Sequence, residues 1–181
     1  MAKMMDRWLS RFLRVRRMMS LVLACTAWMP QAQAADKESA GWRMNVPNGY
    51  RQAYEDEGQT LVLTPANPEQ FLVRFTYHSL KDYVKERPKV GREFIEHLAG
   101  KKGLKTFAVE GNGGVAYLEP PVVSEQDGGR VQETAGGLGL DDAYVTFTVV
   151  IDEAAMSDPA VKELLRSGIQ VLLGRIHSAP G

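Results

Sequence analysis

From Gly41 onward the chain is written in short alternating runs. Trp42, Met44 and Val46 alternate with Arg43 and Asn45, the period of a half-buried strand, and Pro47-Asn48-Gly49 closes the run with a turn. Short strands are expected at 50–54 and 60–64, joined by the acidic tip Glu55-Asp56-Glu57-Gly58. A further strand is expected over 70–77, with Phe71, Val73, Phe75 and Tyr77 on one face. Together these predict an antiparallel meander.

The period then lengthens. Pro88 suits a first helical turn, and Val90, Phe94, Ile95 and Leu98 fall on one side at helical spacing until Gly100 or Gly103. Strands are expected over 104–110 and 114–118 around Gly111-Asn112-Gly113-Gly114. Residues 119–142, rich in Gly, Pro, Gln and acids, read as a long irregular connection with one short strand at 131–134. The continuous apolar run 143–151 predicts a central strand. A terminal helix of about 20 residues should start at Ser157 or Asp158 as cap with Pro159 in its first turn. Its buried stripe is Val161, Leu164, Leu165, Leu172, Leu173 and Ile176, and His177 closes it near the helix C-terminal dipole. The expected core is Trp42, Phe71, Val73, Phe75, Phe94, Leu98, Val145, Phe147, Val149, Leu165 and Leu172.

Residues 1–34 break this pattern. A basic stretch, the apolar run 18–29 and the small-x-small end Ala32-Gln33-Ala34 have the order of a cleaved secretory signal, with the apolar run too short to span a bilayer. The expectation is therefore a signal peptide over 1–34, a polar lead-in over 35–40 and one domain over 41–178, in the periplasm or secreted. Val22-Leu23-Ala24-Cys25 offers lipid attachment at Cys25 as a minor alternative. No membrane span is expected.

This segment also changes the charge. The chain carries 22 bases and 22 acids, but residues 1–34 hold six of the bases and one of the acids. The remaining 147 residues have 16 bases against 21 acids, a formal charge of −5. An acidic body disfavours nucleic acid, which requires basic side chains to displace phosphate counterions. The single cysteine leaves with the leader, and thiol chemistry leaves with it.

The order of a Gly41-Trp42 strand running into Val46-Pro47-Asn48-Gly49-Tyr50, a meander, a helix, long-looped strands, a final apolar strand over 143–151 and an amphipathic helix over 159–176 resembles the PsbP-like and DcrB-like superfamily. That resemblance covers roughly residues 41–177 by layout. It implies an α+β fold, a twisted antiparallel β-sheet flanked by helices in an α-β-α sandwich, and members that bind, assemble or adapt without catalysing.

Chemistry-bearing motifs are sparse. His78, His97 and His177 fall in separate elements without HExxH spacing; Glu96 beside His97 reads as a solvated helix face. No G-x-S-x-G elbow, Walker lysine or EF-hand register accompanies the serines, glycines and acids. No cofactor, metal or catalytic residue is expected, and the chain reads as a non-enzymatic protein-binding module. Its sharper form is an immunity protein that neutralises a basic, cell-wall-degrading effector delivered by type VI secretion, steered by the −5 charge. The alternatives are an envelope assembly or maintenance factor and a small-ligand carrier. Partner recognition is expected on loops: Glu55, Asp56 and Glu57 at the hairpin tip, Asn112 in the Gly-rich turn, and Gln126, Asp127, Gln132, Asp141 and Asp142 in the long connection. Gly111, Gly113 and Gly114 would let a partner's backbone approach closely.

Overall fold

A computed structural model describes residues 41–66, 71–126 and 129–179. The expected signal peptide, its cleavage site, Cys25 and the lead-in lie outside the described residues.

Strand alternation builds the core. In β4 (Phe71–Ser79) the odd positions Phe71, Val73, Phe75 and Tyr77 are buried, and in β9 (Ala143–Asp152) so are Ala143, Val145, Phe147, Val149 and Ile151. The two strands pair antiparallel along their length, from Phe71 opposite Ile151 to Ser79 opposite Ala143, which places both apolar rows on one face. Their companions in the sheet are β2 (Tyr50–Glu55), β3 (Thr60–Pro65), β5 (Phe107–Ala108), β6 (Val115–Leu118), β7 (Val122–Gln126) and β8 (Gly129–Gly139). The described strands lie antiparallel in the order β2-β3-β4-β9-β8-β6-β5, with β7 also paired to β8. β9 thus lies between β4 and β8, the central place its apolar run predicts.

Each face carries helix. The face of Phe75 and Phe147 packs against Val161, Leu164, Ile169, Leu172 and Leu173 near the C-terminus, in one core with Trp42, Leu61 and Leu63. On the opposite face α1 (Val90–Lys101) sets Ile95 and Ala99 against Tyr117, with Val115 and Tyr144 beside them. The fold is α+β, an antiparallel sheet with helices on both sides.

Several expectations change. The irregular connection over 119–142 is instead the hairpin β7–β8, and β8 runs through Gly136, Gly137 and Gly139. Glycine weakens an isolated strand, but here its missing side chain is what packing requires. A Cβ at Gly136 would lie 2.4 Å from the Phe147 ring, and one at Gly139 would lie 2.5 Å from the Gly91 carbonyl oxygen where α1 begins. The strand expected over 104–110 shrinks to Phe107–Ala108. β1 (Trp42–Met44) leaves the meander and pairs with β10 (Ile176–Ser178) as a separate two-stranded ribbon.

The terminal helix is broken into α2 (Pro159–Glu163), a π-helical turn (Leu164–Gly168) and α3 (Ile169–Leu173). Asp158 caps it, accepting from the Ala160 N–H at 2.7 Å. In an unbroken α-helix starting from Val161, Gly168 would take the inward position and Ile169 and Leu173 would turn away. The wider turn rotates the later residues back, so Ile169, Leu172 and Leu173 are all buried and Leu165 is only partly so. The helix stops at Leu173, so Ile176 and His177 belong to β10. His177 lies opposite Arg43 and does not close the helix. Phe94, expected in the core, is 36% exposed on α1, and Leu98 is half-buried.

Candidate interaction surface

Strand register decides which candidates meet. Glu55 pairs with Thr60 and Thr60 with Thr76, Ser79 faces Ala143, and Gly139 faces both Tyr144 and Val115. This ladder brings the tip 55–58, the link carrying Asp141 and Asp142, and the turn carrying Asn112 to one end of the sheet. Gln132 faces Ile151, and the β7–β8 tip begins at Gln126, so these residues mark the opposite end. The ten residues of β9 separate the two ends by about 33 Å. Asp127 and the Gln126 side chain lie outside the described residues. The loop residues expected to form one recognition surface therefore fall into two separate sets.

The hairpin tip is held in an unusual backbone. Asp56 and Glu57 have φ of 51° and 57°, in the left-handed region that side chains with a Cβ avoid, and Gly58 follows at 90°. Bracing comes from several directions. Trp42 donates its indole N–H to the Gly58 carbonyl at 3.0 Å while its ring stacks on Tyr77 at 5.6 Å. The Thr60 hydroxyl donates to Asp56 Oδ2 at 3.4 Å and lies 3.1 Å from the Thr76 hydroxyl. Arg74 pairs with Glu55 at 3.1 Å. Asp56 and Glu57 are exposed at the apex of this framework.

The neighbouring acids are more committed. Arg92 Nε lies 3.1 Å from exposed Asp141. Asp142 is half-buried and accepts a hydrogen bond from the Ser178 hydroxyl, which accepts in turn from the Tyr77 phenol at 3.3 Å. Burial holds the Tyr77 phenol above its usual range, and the nearby Asp142 charge adds to that effect. The Asp142 carbonyl also accepts from Leu80 N–H at 2.7 Å.

Asn112 occupies a different kind of position. Its Nδ2 donates to the carbonyls of Leu173 at 2.7 Å and Ile176 at 2.9 Å, and its Oδ1 accepts from Gly114 N–H at 3.0 Å. The side chain is half-buried, and its amide ties the β5–β6 turn to the end of α3 and to β10. The adjoining glycines serve the same closure. Gly111, at φ 98°, would place a Cβ 2.8 Å from the Gly174 carbonyl oxygen, and a Cβ at Gly174 would lie 2.1 Å from that of Glu110. A Cβ at Gly114 would lie 2.8 Å from the Gly139 carbonyl oxygen. The backbone these glycines admit is the chain's own, not the partner's that the sequence suggested.

The even positions of β4 and β9 supply a second surface, which no sequence motif marks. His78 stacks on Tyr144 at 4.4 Å, Phe94 of α1 meets the same ring at 4.5 Å, and Thr146 Oγ1 lies 3.5 Å from His78 Nε2. Burial lowers the His78 pKa. On the same face Glu133 sits opposite Val122 and Val150, and desolvation raises its carboxyl. The alternation of residues 72–78 was readable, but the opposition of His78 and Tyr144 needs the β4–β9 register. His97 is exposed on α1, well separated in sequence and element from both other histidines. Among the described residues, no three His, Cys, Asp or Glu side chains gather as a metal site, and no helix is long and apolar enough to cross a membrane.

No protein-family model matches the chain, and no curated protein matches it either. Solved structures similar to the chain include the following two. A crystal structure from Bacteroides thetaiotaomicron VPI-5482 at 1.50 Å resolution has a TM-score of 0.52 at 9% identity. It covers 77% of this chain, which spans 46% of that protein's length. The solution structure of cyanobacterial PsbP (CyanoP) from Synechocystis sp. PCC 6803 has a TM-score of 0.34 at 12% identity, covering 84% of this chain and 98% of that one. The Bacteroides likeness is one of fold alone, and the fold it accompanies is the α+β sheet with helices on both faces described above.

Proposed function

We propose that this chain is an exported, non-catalytic protein-binding module of PsbP-like type, which docks a basic partner on the acidic end of its sheet. The observation that supports this most directly is the tip Asp56-Glu57. Two successive acidic residues sit in the left-handed region, exposed, at the apex of a hairpin braced by Trp42, Thr60 and Arg74. Left-handed backbone costs about 1–2 kcal/mol per non-glycine residue, so acids held there at a stability cost point to use outside the fold. Asp141 adds a carboxylate at the same end, and the body's formal −5 charge extends the attraction beyond contact.

In the sharper form of this reading the partner is a basic cell-wall-degrading effector of type VI secretion, and the chain is its periplasmic immunity protein. The test is stopped-flow association with a basic muramidase or amidase encoded beside the gene, together with inhibition of that enzyme. Wild-type protein should inhibit, and Asp56→Lys/Glu57→Lys should slow association at low salt by about tenfold or more. If the double variant associates at the wild-type rate, the acidic end is not the docking surface. If the wild-type chain leaves the enzyme fully active, immunity is excluded.

A further inference from the structure

We propose that β2 is a homodimerisation edge, at which two copies of this chain join their sheets antiparallel about a two-fold axis through Ala53. Main-chain hydrogen bonds set the phase of this edge. Ala66 N–H donates to the Gly49 carbonyl at 2.8 Å, which makes Gly49 and Ala66 a hydrogen-bonded pair of the β2–β3 ladder. Antiparallel pairs alternate, so Arg51, Ala53 and Glu55 bond to β3, while the N–H and C=O groups of Tyr50, Gln52 and Tyr54 point away from it. Pro65 opposite Tyr50, lacking an N–H, agrees with that phase. Among the described residues no strand pairs with this outer edge, and Arg51, Gln52 and Ala53 are exposed along it. A row of outward amides and carbonyls is a template on which another extended strand can pair.

The side chains choose which strand. With the axis at Ala53, Gln52 meets Tyr54 of the second copy in a hydrogen-bonded pair, and this occurs twice. Arg51 then faces Glu55 of the second copy, and Glu55 faces Arg51, in the pairs whose side chains approach most closely. The strand is thus complementary to itself in charge, although the body around it is acidic. Glu55 already lies 3.1 Å from Arg74 on this face, so the incoming guanidinium completes an alternating row. Ala53 places the smallest side chain of the strand on the axis. At the other side of the sheet β5 is only two residues long, and β7 lacks this match. β7 follows Pro120-Pro121, its only charged residue is Glu125, and its exposed Val122 and Val123 alternate to opposite faces. In the dimer the two acidic tips point in opposite directions, so this inference stands whether or not those tips bind a partner.

Sedimentation velocity on the full chain, as the expressing cell processes it, should show a dimer. Arg51→Glu alone and Glu55→Arg alone put like charges opposite each other and should each halve the measured mass. Mixing these two variants restores two opposite-charge rows and should restore the dimer mass. Gln52→Pro removes an outward N–H that β3 does not use, so it should give a monomer that still unfolds cooperatively, with a melting temperature that no longer depends on concentration. In a Cys25→Ser background, Ala53→Cys should form a disulfide-linked dimer on oxidation. A wild-type monomer at every concentration, a mixture that stays monomeric while each variant melts normally, or a folded Gln52→Pro dimer would each overturn the proposal. An edge reserved for a strand of a different protein would appear as the first of these outcomes.

Discussion

The carboxamide nitrogen of Asn112 donates to the Leu173 carbonyl at 2.7 Å, closing the C-terminal end of α3 with a residue from the turn between β5 and β6. The last carbonyls of a helix have no partner within it, and a side chain that supplies one from 61 residues away fixes two parts of the fold at once.

Asn112→Ala should therefore lower stability, not partner affinity. It strips one donor from the Leu173 and Ile176 carbonyls and one acceptor from Gly114 N–H, at a cost of about 1–3 kcal/mol. Urea unfolding should show a lower midpoint with an unchanged slope. Asn112→Asp should also lose stability, because a carboxylate cannot donate to the two carbonyls.

Phenylalanines that look alike in sequence should differ. Phe147 is 2% exposed and packs beside Phe75 at 6.2 Å, so Phe147→Ala should cost about 3–5 kcal/mol. Phe94, 36% exposed, should cost less than about half as much when truncated. Paired calorimetric melts of the two variants decide this; equal losses would mean that Phe94 is buried as deeply as Phe147.

Gly91→Ala tests the seating of α1. The added Cβ would sit 1.9 Å from the Ala143 carbonyl oxygen, so the helix must move off the sheet. A loss of about 1–3 kcal/mol is expected, although alanine is the better helix former. Hydrogen exchange should accelerate in α1 before it does in β4 and β9.

Glu57→Gly separates strain from recognition. Glycine accepts the left-handed backbone without penalty, so thermal unfolding should show stability retained or raised by about 1 kcal/mol. Partner association should slow as the carboxylate is lost. A substitution that raises stability while weakening binding is the behaviour expected of a residue held in place for recognition.

Two half-buried groups give opposite pH dependences. The folded-state pKa of His78 lies below 6.5, so its contribution is present above that pH and is lost as the pH falls below it. The folded-state pKa of Glu133 lies above 4.5, so its contribution is present below that pH and is lost as the pH rises through the folded value. Relative to the parent, Glu133→Gln should gain stability on going from pH 4.5 toward neutrality. His78→Gln should remove the loss seen just below pH 6.5. Denaturation midpoints measured across this range should show both trends, and a flat difference for either variant would mean that its group is solvated in the fold.

What sequence alone determined was local. Alternation at Phe71, Val73, Phe75 and Tyr77 assigned β4 and its buried face, the apolar run 143–151 assigned β9 a central place, and Asp158-Pro159 marked a helix start. These signals are legible because each depends on a residue's own backbone preference or on which side of one element is apolar. The tertiary structure decided whatever depends on two distant segments meeting. β8 looked like a loop because Gly136, Gly137 and Gly139 are poor strand formers alone, and it is a strand because Phe147, Ile95 and the start of α1 occupy the space their side chains would fill. Asn112 looked like a recognition residue because a polar side chain in a glycine-rich turn is usually solvated; the carbonyls it satisfies belong to residues 61 and 64 positions away. Pairing register likewise divided the candidate site, keeping Glu55, Asp56, Glu57, Asp141 and Asp142 at one end and sending Gln126 and Gln132 to the other. A strand's pattern specifies which face is apolar, but the neighbour against which that face is aligned depends on packing across the whole sheet.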